Sequence, residues 1–343
     1  MPTQGLPPVY VYASPGIGGA NSELLATLKM WRRFGVACHI YTTPSALAEQ
    51  IYRLGFRWQT LPERGQPVIP PHSIIIGFCN GRFRDDAQAL REAGHKLIYA
   101  PCMNWLFPAE RKTLLFDRYI FQSHHQRESV MPMLERIGLR PEHGIRIRAA
   151  FDPSEFPFNP KPHKEGEPFV IGRISRAYGS PGHTPALDKF PHDLWDQVAR
   201  INYRPLSVRI MGWSPEIERY CGKPPIGAEC LPEGAETPQH FLSTLHALVP
   251  GIGCCEENWP RIGLEAAAAG VPLVVESKGG WMEQHPAFIA STVTQQSAIV
   301  ESLARNERLR LDATLSQRAF LDSQDWEVDY AWPRWKEIFE SLA

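Results

Sequence analysis

Short apolar runs alternate with amphipathic helical patterns along most of the chain, and that alternation dictates parallel sheets covered by helices. The first run, Val9-Tyr-Val-Tyr-Ala13, is rich in residues that suit a pleated surface. It ends in Ser14-Pro-Gly-Ile-Gly-Gly-Ala-Asn-Ser22, and a helical pattern follows with Leu24, Leu28 and Trp31 on one face. Arg32 and Arg33 fall in its last turn, where cations complement the helix dipole, and Gly35 stops it. Val36 to Tyr41 then reads as a second strand, completing a βαβ unit. The same reading predicts strands over 73–78, 96–100, 119–122 and 145–148, with helices over 85–93 and 126–137.

Phe151 to Pro168 interrupts this rhythm with five prolines, several charges and no apolar period, the composition of a linker or hinge. Beyond it the pattern restarts. Strands are predicted over 169–171, 207–211, 247–249 and 272–276, helices over 194–201, 238–245 and 261–269, and a helix-rich tail over 296–343. A chain of 343 residues exceeds one ordinary core. It therefore reads as two Rossmann-like α/β domains, 1–155 and 166–324, with a final helix over 325–343 packing back on the first. Ligands of open α/β sheets sit beyond the carboxyl ends of the strands, so the expected site is a cleft between the two sheets.

Charge narrows the function. Thirty-six Lys and Arg stand against 37 Asp and Glu, so there is no basic excess of the kind nucleic-acid binding uses. No apolar run approaches the roughly 18 residues of a membrane span, and Met1 to Pro8 lack the pattern of a secretory leader. The expectation is a cytoplasmic protein. Docking to the inner membrane face through Lys29, Arg32 and Arg33 stays open, though helix-end cations explain those residues more simply. The seven cysteines lack a C-x-x-C spacing, and Cys254 and Cys255 are adjacent rather than spaced for chelation. Free, mostly buried thiols are expected, and a zinc site is not.

The most informative stretch runs from Cys254 through Glu257-Asn-Trp-Pro-Arg-Ile-Gly-Leu-Glu265 and four alanines to Gly270-Val-Pro-Leu-Val-Val275. Pro260 suits the first helical position, and Gly270 with Pro272 ends the helix. Glu257 then lies on the approach to the helix and Glu265 a turn inside it. Carboxylates there accept hydrogen bonds from the vicinal hydroxyls of sugars and riboses, while the helix terminus suits a phosphate. On the residues alone, Glu257 as a helix cap and Glu265 as a solvated glutamate is an equal alternative.

The frame Glu-x-Trp-x-x-x-Gly-x-Glu-Ala-x-Ala-x-Gly-Val-Pro-Leu-Val-Val resembles the signature of retaining glycosyltransferases of family 4, which have the GT-B fold. Ile171-Gly-Arg-Ile-Ser-Arg176 with Asp188-Lys-Phe-Pro191 is similar to the family's segment opening the second domain. Met211-Gly-Trp213 resembles its nucleotide-side glycine turn, and Leu231-Pro-Glu-Gly-Ala235 with Phe241-Leu-Ser-Thr-Leu245 the stretch before the paired glutamates. Gly18-Gly19 matches its early glycine pair. The likeness is strong over about 169–285 and looser before it.

The resemblance implies roles. Arg173 and Lys189 would hold the donor diphosphate, Glu265 the ribose hydroxyls and Glu257 the transferred sugar. Gly18, Gly19 and Gly212 would bring backbone close to the nucleotide. The implied reaction moves a hexosyl group from a nucleotide diphosphate-sugar to a hydroxyl of a glycan, a lipid-linked saccharide or another acceptor. Charge grows on the β-phosphate as it leaves, and fixed cations or a metal must stabilise it. The chain has no Asp-x-Asp and does have Arg173, Lys189, a helix terminus and a glycine loop, so neither a metal nor another cofactor is expected.

Arg176 reads equally as a third phosphate contact or a surface ion pair, and the Gly- and Pro-rich insertion 177–187 lengthens the usual spacing between Arg173 and Lys189. On the acceptor side the candidates are Asn104 and Trp105 after a predicted strand, and His124 of the His124-His125 pair. The family often carries a histidine near Asn104, and this chain has none there. A front-face route, in which the leaving phosphate takes the acceptor's proton, needs none. An epimerase or phosphorylase on the same fold, and a silent sugar-nucleotide-binding subunit, are the alternatives. Trp326, Tyr330, Trp335 and Phe339 form an aromatic stripe at helical spacing, read as core, with Pro333 kinking or restarting the last helix.

Overall fold

The computed structural model describes residues 6–13, 19–108, 110–148, 150–178, 184–283, 288–323 and 330–343. The chain divides into two compact units, Met1–Asp152 with Asp325–Ala343, and Pro153–Gln324.

The first unit runs β1 (Val9–Tyr12), α1 (Gly19–Arg33), β2 (Cys38–Thr42), α2 (Ala46–Arg53), β3 (Trp58–Thr60), β4 (Ile74–Phe78), α3 (Gly81–Glu92), β5 (Lys96–Ala100), β6 (Arg118–Phe121), α4 (His124–Glu135) and β7 (Gly144–Arg146). All seven strands are parallel, in the order β3-β2-β1-β4-β5-β6-β7. The order reverses between β1 and β4, so α1 starts at a switch point of the sheet, where α/β folds place ligands. Central strands are buried on both faces, which is why β1 and β4 read as unbroken apolar runs.

Caps move two helix starts. The Asn80 side chain accepts from the Phe83 amide at 2.9 Å, so α3 opens four residues before the predicted start. Ser123 does the same for the Gln126 amide at 3.0 Å, which brings His124 and His125 into the first turn of α4.

The second unit runs β8 (Phe169–Ile174), α5 (Leu194–Ala199), β9 (Leu206–Met211), α6 (Pro215–Cys221), β10 (Ala228–Leu231), α7 (Pro238–Ser243), β11 (Ala247–Leu248), α8 (Arg261–Ala269), β12 (Val274–Glu276), β13 (Phe288–Ala290), α9 (Val293–Arg305) and α10 (Glu307–Asp322). Four parallel strands pair as β10-β9-β8-β11, and β12 pairs with β13. A parallel bridge from Leu248 to Leu273 links the two groups. Pro260 is the N-cap of α8 rather than its first residue, because its ψ of 97° is extended and the helix turns only from Arg261. The four alanines of α8 are all buried.

The last helix, α11 (Trp332–Leu342), belongs to the first unit. Trp335 and Phe339 set their rings 5.0 and 5.5 Å from Trp31 of α1, as the stripe implies. Pro333 sits in the first turn of α11, where its missing N–H is harmless, so it restarts a helix rather than kinking one. Tyr330 is half-buried beneath Arg334 at 4.2 Å, and Trp326 lies outside the described residues.

The cysteines are free, but only Cys221 is buried; Cys102 is exposed and the others are half-buried. That corrects the expectation of buried thiols. They occupy strand ends, an edge strand and loops, where apolar cover is partial. No helix among the described residues is long and apolar enough to cross a membrane.

Candidate functional site

Arg173 is the unusual residue of the second unit. It lies on β8, a strand with neighbours on both sides, and alternation along Phe169, Ile171 and Arg173 turns it inward, so it is only 5% exposed. Its guanidinium lies over the Phe190 ring at 4.3 Å, with Nη1 3.5 Å from Cys254 Sγ. Its Nε is buried without a partner, and no carboxylate pairs with it among the described residues. A buried cation without a counter-charge is expensive, and this one sits near the carboxyl end of a parallel strand, the end where α/β folds place ligands.

Lys189 is the chain neighbour of Phe190, the ring over which Arg173 lies. The chain leaves β8 through 175–178 and returns through an antiparallel bridge between Tyr178 and Pro185, with the Ala186 amide donating to Ala177 O at 2.9 Å. The insertion thus closes on itself and costs no reach. Lys189 ends a 3-10 turn (Leu187–Lys189) directly before Phe190, and its Nζ donates to Glu257 Oε1 at 2.6 Å. The Cys255 amide donates to Asp188 O at 2.6 Å and pins the two segments together. Burial pulls the Lys189 pKa down, but Glu257 and Cys255 outweigh it, and the ammonium is held above its ordinary value. Arg176 opposes that rise, so it stands near; it is half-buried and has no ion pair among the described residues. The surface ion pair considered for Arg176 is therefore absent from the described structure.

Glu257 is not a helix cap; its carboxylate is committed to Lys189. Nor is Glu265 solvated. It is buried within α8, and Arg261 Nε lies 3.2 Å from its Oε1. Desolvation raises its pKa, Arg261 pulls it back, and Glu155 adds to the rise.

Gly212 follows β9 with φ of 98°, its amide donating to Leu231 O at 3.0 Å. A β-carbon there would overlap the Ser175 carbonyl oxygen, two residues beyond Arg173. Backbone cannot retreat as a flexible side chain can. Gly212→Ala is expected to lose about 2–4 kcal/mol of stability in chemical denaturation and to disturb anion binding with it. A variant as stable as the parent chain would show that the turn tolerates a side chain.

Four contributors carried no sequence prediction: Phe190, Arg261 and the pair Gly279-Gly280. The Gly280 amide donates to Glu257 O at 2.6 Å, and a β-carbon on Gly280 would overlap Asn258 O, so this turn seats the Glu257 loop. Lys278-Gly-Gly-Trp281 after a predicted strand was a readable signal for it. A cavity of about 550 Å³ opens beside Trp213, lined by Ser214, Glu218, Arg219, Lys223 and Cys230, but none of the cationic or acidic groups above lines it. Among the described residues no three His, Cys, Asp or Glu side chains converge to hold a metal ion.

In the first unit, Gln126 Nε2 donates to Pro101 O and Met103 O at 2.8 and 3.0 Å. That ties the loop carrying Asn104 and Trp105 to the start of α4, beside the carboxyl ends of β5 and β6. Trp105 is 38% exposed and His124 is exposed. Gly19 opens α1 and is exposed, while Gly18 lies outside the described residues.

The fold is that of the GT-B glycosyltransferases. The chain is similar to Anabaena HepE in complex with UDP, with a TM-score of 0.72 at 15% identity over 98% of this chain and 100% of that one. HepE with UDP-glucose matches at 0.69 and 16%, over 92% and 94%. A glycosyltransferase from Rickettsia africae matches at 0.70 and 9%, over 98% of both chains. A Listeria monocytogenes protein described as a UDP-N-acetylglucosamine 2-epimerase matches at 0.51 and 12%, over 90% of both. No protein-family model matches the sequence, and no curated protein does.

Proposed function

We propose that the chain is a retaining glycosyltransferase of the family 4 kind, moving a hexosyl group from a nucleotide diphosphate-sugar to an acceptor hydroxyl without a metal. The observation that carries it is Arg173, a buried cation with no carboxylate partner among the described residues, followed along the chain by Arg176 and Lys189, which stand near one another. In the reaction the bond from the anomeric carbon to the β-phosphate oxygen breaks. That oxygen takes the acceptor's proton, and the acceptor oxygen bonds the sugar on the same face. Negative charge grows on the β-phosphate, where Arg173 and Lys189 oppose it; Glu257 meets the sugar and Glu265 the ribose. Gly19 and Gly212 give close backbone approach to the nucleotide. Asn104, Trp105 and His124 are the acceptor-side groups of the reading. The free thiols fit a reducing, cytoplasmic setting.

HepE's complexes support the donor class by likeness of fold, and make UDP-glucose the first donor to try. A panel of UDP, GDP, ADP and dTDP sugars is expected to contain one that stabilises the protein by about 2.7 kcal/mol at a hundred times its Kd. With that donor and a sugar acceptor, transfer is expected to persist in excess EDTA, giving a product with the donor's anomeric configuration by NMR. Inverted product would overturn the retaining route, and EDTA loss restored by manganese the metal-free one. The epimerase-like neighbour favours a second reading, in which the nucleotide sugar is converted with no acceptor present. Donor binding with neither outcome would mark a silent subunit.

A further inference from the structure

Arg261 is the first residue of α8, at the end of the helix where the dipole disfavours a cation. It precedes its acidic partner by four residues, the weaker order for such a pair on a helix. Helix stability therefore does not explain it. Both side chains are 11% exposed, so the contact is sheltered from solvent screening. Arg261 Nε meets Oε1 of Glu265 at 3.2 Å, which fixes the rotamer of a carboxylate that burial would otherwise push toward its neutral form. One carboxylate oxygen is thereby engaged, and the other keeps its lone pairs for a ligand.

We propose that Arg261 is a positioning residue that presents Glu265 as a fixed, charged acceptor for the vicinal diol of a ribose, making the site selective for ribonucleotides over their 2′-deoxy counterparts. This rests on the reading that Glu265 meets the donor's ribose. A neutral carboxyl would spend a proton as donor and accept less strongly; a mobile one would lose the geometry a diol requires.

Other ionisable groups lie on the elements packed against α8; on α10, Arg308 pairs with Asp312 and Arg310 with Glu307 along that helix. Glu155 lies in a 3-10 turn (Pro153–Glu155) and acts on Glu265 from there. Arg318 of α10 donates to Ala268 O and pairs with Asp322, and His240 of α7 faces Glu236.

The test is calorimetry with UDP, GDP and ADP beside their 2′-deoxy forms. The parent chain is expected to bind its preferred ribonucleotide about ten- to a hundredfold more tightly than the deoxy form. In Arg261→Met that ratio is expected to fall to about threefold or less while deoxy affinity stays within about twofold, with Arg261→Lys between the two. The pH below which ribonucleotide affinity falls should also move upward in Arg261→Met, because Glu265 loses the charge that opposes its protonation. Should Arg261→Met fail to fold, Arg261→Gln and Arg261→Lys read the same ratio. Equal losses for both nucleotide forms, or an unchanged ratio, would overturn the assignment and leave the donor reading standing. A parent chain that binds nucleotide with no ribose preference removes the role of Glu265 and this inference together. One that binds neither these six nor dTDP removes the donor reading as well.

Discussion

Arg173→Met is expected to lower kcat by about a hundred- to thousandfold while costing the protein little or no stability. Two effects with different causes meet at this residue. The guanidinium is buried, and Phe190 is a weak substitute for a carboxylate, worth about 2 kcal/mol as a desolvated cation–π contact. Against that stands the cost of taking a charge out of water, several kcal/mol. Methionine fills similar space, carries no charge and lets Nε vanish as a buried, unpartnered donor. The folded chain therefore loses little or gains. Turnover behaves oppositely, because a fixed donor aimed at developing charge acts mainly in the transition state, where removing one typically costs about 3–4 kcal/mol. Melting curves and steady-state kinetics on the same variant separate the two. If Arg173→Met melts far below the parent and turns over normally, Arg173 is a structural residue and the anion site is misplaced.

The parts of the fold that could be read from sequence are those where burial imposes a pattern. β5 and α8 stand at their predicted limits, since the buried run Leu97–Ala100 behind Lys96 and a helix bounded by Pro260 and Gly270 leave little freedom. Helices α2 and α6 carried no prediction although each buries an apolar face, and the unpredicted strands lie where the pattern is weakest. β3 is three residues at the sheet edge, mostly exposed, and β10, Ala-Glu-Cys-Leu, is an edge strand with no residue buried. β13 is likewise short and half-exposed.

The site divides in the same way. Arg173, Lys189, Glu257, Glu265 and Gly212 could be named because their types resemble a known signature, as does their spacing except at Lys189. Which of them touch was not readable. The Lys189–Glu257 contact joins residues 68 apart, and it depends on the insertion closing through Tyr178 and Pro185. Phe190 gave no signal because an apolar residue after a lysine reads as core, and its use as a platform for Arg173 exists only in three dimensions. Arg261 was hidden by its spacing: an arginine four residues before a glutamate on a helix reads as a surface pair until burial is known.

The Lys189–Glu257 pair offers the second large effect, and it distinguishes two jobs that one substitution confounds. Lys189→Met is expected to reduce kcat/KM about a hundredfold, either because a cation at the diphosphate is gone or because a freed Glu257 repels the anion. The double variant Lys189→Met/Glu257→Gln, read against Glu257→Gln alone, decides between them. If Lys189 itself grips phosphate, the double variant falls about a hundredfold below Glu257→Gln; activity within a few-fold of Glu257→Gln would assign Lys189 to the neutralisation of Glu257 alone. The expected result is the full loss, because water can screen the partly exposed Glu257 carboxylate once Lys189 is gone. Stability should move less than activity. Glu257 is 32% exposed and can rehydrate once Lys189 is removed, so the loss should be about 1 kcal/mol rather than the several expected of a sealed pair. The alkaline limb supplies an independent check of the pair. The folded-state pKa of Lys189 is raised above 10.5, so its contribution to stability is fully present below that value and is lost only as pH rises through the folded pKa. The gap in melting temperature between parent and Lys189→Met should therefore hold from neutral pH to about 10 and narrow above it. A gap that closes near pH 8 would mean that Glu257 does not hold the ammonium charged.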